Sequence, residues 1–323
     1  MGINYFKNNR GLFIFSDPGG AKPLLAFIEN HKLKDFKVIS DRVYDFFLDF
    51  GINVINFKNE NIKKIIKEFN PEYILSGTSY TSKIELRFIS EARKLNIDTY
   101  SYIDHYTNYK ERFILDNQFI FPRNIILIDK VAEKIAIENK LSTHSNLIVL
   151  NNFYHAFLRN WVPKTKRENF LINRQIKFDE KILVFAPDPL SNINGKEKYL
   201  FDENDVWNDL ADVLRKINSD KLIVIVKFHP NQNKATLINT INNNNYKNVV
   251  FYDQNSSIDL LFHTDMIVGM FSSILVEANI FNTKIFRHFS KKSLRDPLSK
   301  LDIGLISQSK KQLYKNLFNY LKN

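Results

Sequence analysis

Short apolar runs alternate with stretches of helical periodicity along the first half of the chain. The apolar runs are continuous, which is typical of strands that are covered on both faces of a sheet. The predicted strands are 11–16, 36–40, 53–57, 73–77, 98–104 and 146–150. The predicted helices between them are 21–30, 41–50, 60–69, 82–95 and 130–140. This alternation indicates βαβ crossovers and therefore a parallel sheet.

The alternation stops at residues 151–180, which are polar and basic with Pro163 near the middle, and then resumes. The later predicted strands are 181–186, 221–228, 248–252, 266–269 and 284–289, and the helices are 203–217, 234–242 and 272–280. We therefore predict an α/β protein of two Rossmann-like domains with parallel sheets. The predicted boundaries are 1–155 for the first domain, 156–180 for a linker and 181–323 for the second.

Composition narrows the classes of function. An apolar fraction of 44% and a charged fraction of 25% are ordinary for a folded protein. The chain has no cysteine, which excludes disulfides, thiolate metal sites and thiol nucleophiles. No uncharged apolar stretch approaches 18 residues, and the first residues do not fit a signal peptide. We expect a cytoplasmic protein.

The net charge of +11 is concentrated at the end of the chain, where residues 291–323 contain eight basic and two acidic residues. Apolar Leu313, Leu317, Phe318 and Leu321 among these lysines predict an amphipathic helix. One interpretation is a closing helix packed on the domain with a solvated lysine face. The other is peripheral contact with an anionic membrane surface. No nucleic-acid-binding motif accompanies the charge, so nucleic acid is not an expected partner.

The segment 221–232 (KLIVIVKFHPNQ) places Lys227, His229 and Pro230 at the end of a predicted buried strand. Proline favours an extended conformation at His229, which directs the imidazole away from the sheet. There it can donate a hydrogen bond to a phosphate leaving group, and Lys227 adds positive charge. The alternative is a histidine that ends a strand without a ligand.

The segment 266–280 (MIVGMFSSILVEANI) contains a strand that ends at Gly269 and a helix that Ser272 and Ser273 open. Hydroxyls beside the amide groups of a helix N-terminus form an anion site. Glu277 follows one helical turn after Ser273, within reach of a ribose hydroxyl. The alternative is that Ser272 only caps the helix.

The His-Pro strand end followed by Ser-Ser and a downstream Glu resembles bacterial GT-B glycosyltransferases. It is similar to the pattern of sialyl- and Kdo-type transferases that use CMP-sugars, and to that of CDP-glycerol glycerophosphotransferases. The resemblance covers mainly residues 181–290. It implies a GT-B fold with a cleft between the domains, phosphate contacts from His229, Ser272 and Ser273, and a nucleoside contact from Glu277. The paired acidic residues followed by glycine, which supply the base in several sialyltransferase families, are not visible here.

Two N-terminal loops offer groups for an acceptor. The first, 16–23 (SDPGGAKP), follows a strand, and its Gly19 and Gly20 permit close approach of a ligand to the backbone. Asp17 in this loop is a candidate base, with an Asx turn as the alternative. The second loop, 103–113 (IDHYTNYKERF), contains a His–Asp pair. His105 could act as a base that the carboxylate of Asp104 orients. Tyr106, Asn108 and Arg112 of this loop suit a sugar acceptor, and a solvated loop is the alternative.

These residues predict an inverting, metal-independent glycosyltransferase that moves a sugar from a nucleotide-activated donor, with a CMP-sugar favoured, to a glycan or lipid-linked acceptor of the bacterial surface. Lys227, Pro230 and Gly269 complete the predicted nucleotide site. We expect no cofactor, because no metal-binding motif is visible. The alternatives are a CDP-glycerol-type phosphotransferase, a nucleotide-sugar 2-epimerase, which uses the same fold, and a non-catalytic protein that binds carbohydrate or nucleotide.

Overall fold

The computed structural model describes residues 3–42, 45–79, 82–106, 108–163, 165–229, 231–252, 256–292, 296–299 and 301–322. The chain divides into two compact units, Met1–Asn160 and Trp161–Asn323, which we call unit 1 and unit 2. Each unit contains its own parallel sheet and its own buried apolar residues.

The described residues of unit 1 form nine strands. They are β1 (Gly11–Phe15), β2 (Phe36–Ser40), β3 (Val54–Asn56), β4 (Tyr73–Ser76), β5 (Asp98–Ile103), β6 (Ile114–Leu115), β7 (Gln118–Phe119), β8 (Asn124–Leu127) and β9 (Asn146–Val149). Seven of them form a sheet in the order β3-β2-β1-β4-β5-β8-β9. All neighbouring pairs of that sheet are parallel. Strands β6 and β7 form a separate antiparallel pair.

The helices of unit 1 are α1 (Ile3–Asn8), α2 (Pro18–His31), α3 (Ile62–Phe69), α4 (Ile84–Lys94), α5 (Lys130–Glu138) and α6 (Phe153–Arg159). Local sequence explains where several of them begin. Pro18 starts α2, a position where a missing N–H costs nothing. The side chain of Asn61 accepts the amide of Lys64 at the start of α3, and Asp129 caps α5 in the same way.

The strands of unit 2 are β10 (Lys181–Ala186), β11 (Leu222–Lys227), β12 (Val249–Tyr252), β13 (Met266–Gly269), β14 (Lys284–His288) and β15 (Leu305–Ser307). Its helices are α7 (Arg167–Ile172), α8 (Gly195–Tyr199), α9 (Glu203–Ile217), α10 (Lys234–Asn243), α11 (Ile258–His263), α12 (Ser273–Ile280) and α13 (Lys310–Lys322). The strand order is β12-β11-β10-β13-β14-β15, again with every pair parallel. A capping box between Asp202 and Asp205 fixes the start of α9.

Both sheets have the doubly wound order of a Rossmann fold, in which the chain first moves to one side of the sheet and then to the other. The direction reverses between β1 and β4 in unit 1 and between β10 and β13 in unit 2. At such a switch point the loops after the two strands diverge and leave a crevice for a ligand. The switch points therefore locate the candidate sites.

The two parallel sheets confirm the predicted α/β class, but several predicted elements differ. A 3-10 helix at Asp45–Phe50 lies where a helix over 41–50 was predicted. Strands β8 and β15 and helix α11 were not predicted. The stretch predicted as an irregular connection contains α6 and α7. Phe153, Tyr154, Phe157 and Leu158 of α6 are buried in unit 1, and Phe170 and Leu171 of α7 are buried in unit 2.

The predicted C-terminal helix is present as α13, and its apolar side packs on unit 2. Leu313 and Leu317 are fully buried in the core cluster that includes Trp207 of α9. Lys310 forms ion pairs with Asp209 and Asp212 of α9. Among the described residues, no helix is long and apolar enough to cross a membrane.

Candidate functional site

The switch point of unit 2 lies beside the paired strand ends Ala186 and Gly269. In the loop after β10, Oδ2 of Asp188 accepts the amide N–H of Phe271 at 2.9 Å. The same carboxylate bonds the amide of Ser272, and desolvation by the surrounding protein raises the pKa of Asp188 to about 6. A carboxylate of the protein itself thus binds the turn that leads into α12.

The predicted serines lie at this same turn. Ser272 occupies the N-cap position of α12, but its hydroxyl makes no capping hydrogen bond. Ser273 is the first residue of the helix and is exposed. Both hydroxyls therefore lie at the positive end of the helix, as the sequence predicted. The bonds of Asp188 to the amides of Phe271 and Ser272 leave fewer donors for a ligand at this turn.

His229 follows β11 and is half-buried. Its Nδ1 accepts the amide N–H of Asn231 at 3.1 Å. A nitrogen that accepts a hydrogen bond carries no proton, so the neutral ring has its proton on Nε2. The backbone of the His229–Asn231 turn therefore selects the tautomer in which Nε2 can donate to a ligand.

A buried carboxylate connects the loops that follow β10 and β11 through hydrogen bonds. Glu203, fully buried at the start of α9, accepts the amide and the hydroxyl of Ser191 at 2.9 and 2.5 Å. It also accepts Nε2 of Gln232 at 2.7 Å. The amide of Gln232 in turn donates to the carbonyl of His229 at 2.9 Å. This network, which the sequence did not reveal, positions the loop of His229.

The remaining predicted residues of unit 2 that the structure describes lie on β11, β13 and α12. Nζ of Lys227 lies 3.5 Å from the carbonyl of Phe228 and 5.6 Å from the ring centre of Tyr252. Glu277 is only 4% exposed, which makes it a less accessible nucleoside contact than the sequence suggested. A Cβ on Gly269 would lie 3.0 Å from the carbonyl oxygen of Ala186, so glycine suits this strand end. Pro230 lies outside the described residues.

The switch point of unit 1 brings two predicted carboxylates to the start of α2. Asp17 is the N-cap residue of this helix and contacts Nη1 of Arg42 at 3.2 Å without making a capping bond. Asp104, at the end of β5, approaches the helix so closely that a Cβ on Gly19 would lie 2.3 Å from its Oδ2. Only glycine permits this approach. Both carboxylates are partly exposed.

Arg112 joins the loops after β4 and β5. Its Nη1 donates to the carbonyl and the hydroxyl of Thr78 at 2.6 and 3.1 Å and contacts Oδ1 of Asp104 at 3.4 Å. Gly20 of α2 packs against Gly77, where an added Cβ would be only 2.8 Å from the Cα of Gly20. Asp17, Gly19, Gly20, Asp104 and Arg112 therefore form one cluster, which the sequence predicted as separate candidates.

Glu85 is a further member of this cluster that the sequence did not reveal. It lies on α4 and is 2% exposed. Its Oε1 accepts the amides of Ser16 and Ser79 at 3.1 and 3.2 Å, and its Oε2 accepts the hydroxyl of Ser79 at 3.2 Å. Burial raises the pKa of Glu85 to about 7, and the nearby charge of Asp17 acts in the same direction.

The other predicted acceptor residues point to different partners. The hydroxyl of Tyr106 donates a hydrogen bond to Oδ2 of Asp129 at 2.6 Å. This contact holds the side chain of Tyr106 at the start of α5. His105 is exposed and its ring centre lies 6.3 Å from that of Tyr106. Asn108 is exposed and adopts the left-handed conformation with φ of 57°. Their roles at an acceptor stay predictions. No cluster of metal-binding side chains occurs within the described part of the chain.

Comparison with solved structures identifies similar proteins at low sequence identity. The UDP-GlcNAc 2-epimerase of Methanocaldococcus jannaschii superposes with a TM-score of 0.66 and 14% identity, over 97% of this chain and 94% of the other. The UDP-GlcNAc 2-epimerase of Neisseria meningitidis, solved with UDP-GlcNAc, gives 0.64 and 12%, over 97% and 91%. The wall teichoic acid polymerase TagF, solved with CDPG, gives 0.61 and 14%, over 99% and 82%.

No protein-family model matches the sequence, and no curated protein matches it either. The similarity to solved structures is one of fold. It confirms that the chain has the GT-B-like architecture of two Rossmann-type units that was predicted. It does not extend to the sialyl- and Kdo-type assignment, since the similar structures are 2-epimerases and a teichoic acid polymerase.

Proposed function

We propose that the protein is an enzyme that acts on a nucleotide-activated sugar, whose phosphates bind at the switch point of unit 2. The observation that carries the proposal is the arrangement of donors there. His229 has Nε2 as its donor nitrogen, and Ser272 and Ser273 lie at the positive end of α12. A donor and a helix N-terminus together stabilise the charge that develops on a leaving phosphate.

The reaction that we favour is 2-epimerisation of the sugar. Inversion at C2 by proton transfer removes the proton of that carbon while the bond between C1 and the phosphate oxygen breaks and a C1=C2 double bond forms. A proton then returns to the other face of C2 and the nucleotide returns to C1, which requires groups that exchange protons. Unit 1 contains two partly exposed carboxylates at its switch point, Asp17 and Asp104. The whole-chain similarity of fold to UDP-GlcNAc 2-epimerases supports this reaction over the sugar transfer that the motifs favoured.

The second candidate is transfer of a sugar or a glycerol phosphate group to an acceptor. The similarity of fold to TagF and the His-Pro and Ser-Ser motifs favour it. In that reaction Asp17 or Asp104 would deprotonate the acceptor hydroxyl, and His229 would keep the same role at the phosphate. Epimerisation and sugar transfer both break the bond between C1 of the sugar and the phosphate oxygen, whereas transfer of a glycerol phosphate group breaks the phosphoanhydride bond of the donor. Each reaction leaves charge on a nucleotide phosphate, so the candidates share the nucleotide site.

The test combines binding with turnover. We expect UDP, CDP or CMP to raise the melting temperature of the protein, and the nucleotide that does so most identifies the donor. With UDP-GlcNAc in D2O, epimerisation incorporates deuterium at C2, which proton NMR detects as the loss of the H2 signal. Release of nucleotide only when an acceptor is added would favour transfer instead.

His229→Ala should lower turnover by roughly 10²- to 10⁴-fold without changing the melting temperature. His229→Gln keeps an N–H donor near the position of Nε2 but cannot supply a proton, so it separates hydrogen bonding from acid catalysis. His144→Ala, which removes an exposed histidine of unit 1, is the control. A protein that no nucleotide stabilises would contradict the proposal. One that is stabilised yet turns over none of these substrates would be a binding protein.

A further inference from the structure

A pocket of about 240 Å³ opens on unit 1. Ser82, which lines it, donates its amide N–H to Oγ of Ser79, a residue that also bonds Glu85. It lies between the loop that follows β3 and the start of α4, and Phe57 and Ile84 form its apolar part. Its volume is below the range usual for drug-sized ligands, which suits a molecule no larger than a monosaccharide derivative.

Three cations line this pocket, Lys58, Lys83 and Arg87. Arg87 is held in place because its Nη1 donates to Oδ1 of Asn59 at 3.2 Å and its guanidinium lies 5.7 Å from the ring centre of Phe57. Lys83 is half-buried, and within the described part of the chain neither lysine forms an ion pair. Cations gathered in a concave site without neutralising partners favour an anionic ligand.

One carboxylate also faces the pocket. Oδ2 of Asp41 accepts the hydroxyl of Ser82 at 2.5 Å. Glu60, which accepts the amide N–H of Lys58 at 2.6 Å, adds a second carboxylate beside the pocket. The three lining cations still exceed these two carboxylates, so the pocket is positive. Asp41 and the amide of Asn59 are groups that hydrogen-bond hydroxyls, as a sugar ring presents them.

We propose that this pocket binds an oxyanion, phosphate or carboxylate, that is carried on a sugar-sized molecule. Lys58, Lys83 and Arg87 contact the oxyanion, and Asp41 and Asn59 contact the hydroxyls of the sugar. The site belongs to unit 1, whereas the proposed nucleotide site belongs to unit 2. The two proposals therefore stand or fall separately.

Calorimetric titration of the full chain tests the site with inorganic phosphate, glucose 6-phosphate and glucuronate at low ionic strength. We expect saturable binding that salt weakens, with the two sugar anions binding more tightly than inorganic phosphate. Lys83→Gln and Arg87→Gln should each weaken binding roughly tenfold or more. Asp41→Asn should tighten binding by roughly threefold to tenfold, because it removes the negative charge. If Asp41 had only a structural role, Asp41→Asn would not increase the affinity for the anions.

Lys94→Gln is the matched control, since it removes one exposed lysine from the other end of the same helix α4. It should bind the three anions as the unmodified protein does. Lack of saturable binding by all three probes would overturn the proposal, and so would equal affinities in Lys83→Gln, Arg87→Gln and Lys94→Gln. Equal affinity for inorganic phosphate and the sugar anions would overturn the part that concerns the sugar.

Discussion

Glu85 connects the loops after β1 and β4 through three hydrogen bonds to residues 16 and 79. These loops also carry Asp17 and Thr78, so the carboxylate of Glu85 positions one side of the unit 1 cluster. The connection has a cost, because a charged carboxylate is desolvated in the interior. Its pKa is consequently raised from 4.5 to about 7, and the group titrates near neutral pH.

Glu85→Gln should change how stability depends on pH. A raised pKa means that the stabilising contribution of the protonated group is complete below pH 4.5 and is lost as the pH rises through about 7. Glutamine keeps an oxygen acceptor for the two amides and carries no charge. The free energy of unfolding of the variant, relative to the unmodified protein, should therefore increase by roughly 3 kcal/mol between pH 4.5 and pH 8.

Urea unfolding at several pH values measures this difference. Glu68→Gln, at an exposed glutamate of α3, should leave it nearly constant. Parallel stability profiles for Glu85→Gln and the unmodified protein would show that Glu85 does not titrate in this range.

The sequence singled out candidate residues that directly follow strands, and it missed buried carboxylates that reach the same loops from helices. Asp17, Asp104 and His229 were candidates because parallel strands present their carboxyl ends at one edge, and their roles stay predictions. Glu85 and Glu203 lie on helices, where the sequence alone predicts that a glutamate is exposed to solvent. Their burial depends on loops that are distant in the chain, which residue order alone does not reveal.

At the scale of elements, the start of α12 depends on a residue outside the helix. Asp188, and not the hydroxyl of Ser272, bonds the amides at the turn. The preference for serine at the start of a helix therefore predicted the N-cap residue correctly. It did not predict that the hydroxyl of Ser272 makes no capping hydrogen bond. Strand β8 was not predicted because a strand of four residues, three of them apolar, carries too little periodicity to distinguish it from a loop.

Asp188→Ala should destabilise the protein by about 1–3 kcal/mol, because two amides at the turn lose their acceptor. Ser272→Ala should change the free energy of unfolding by less than about 0.5 kcal/mol, since its hydroxyl makes no capping bond. Urea unfolding without nucleotide compares the two variants. A larger loss for Ser272→Ala than for Asp188→Ala would mean that the serine caps α12 after all.

For the whole molecule, the basic C-terminal stretch is partly neutralised within unit 2. Lys310 pairs with Asp209 and Asp212, and Leu313 and Leu317 are buried. The packed closing helix that the sequence offered as one interpretation is thus present. Contact with a membrane surface stays a prediction, which concerns the lysines of α13 that face away from α9.

The division of the chain into two units predicts where a fragment can begin. Phe170, Leu171 and Ile176 lie in the stretch predicted as a linker, yet they are buried in the core of unit 2 with Ile182 and Ile267. The carboxylate of Asp265 also accepts hydrogen bonds from Nη2 of Arg167 and from the amide of Ile182, each at 2.7 Å. A fragment of residues 161–323 keeps these contacts, whereas a fragment of 181–323 loses them.

We expect the 161–323 fragment to fold and to unfold cooperatively in urea. The 181–323 fragment should lose roughly 5 kcal/mol or more, because three buried apolar side chains each contribute about 1.5–3 kcal/mol. Such a loss is comparable with the whole stability of a domain, so the shorter fragment should lack a cooperative transition. Circular dichroism during urea titration compares them, with the full chain as reference. Equal urea midpoints for the two fragments would contradict this prediction. They would mean that the domain begins at residue 181 and that α7 is part of a linker.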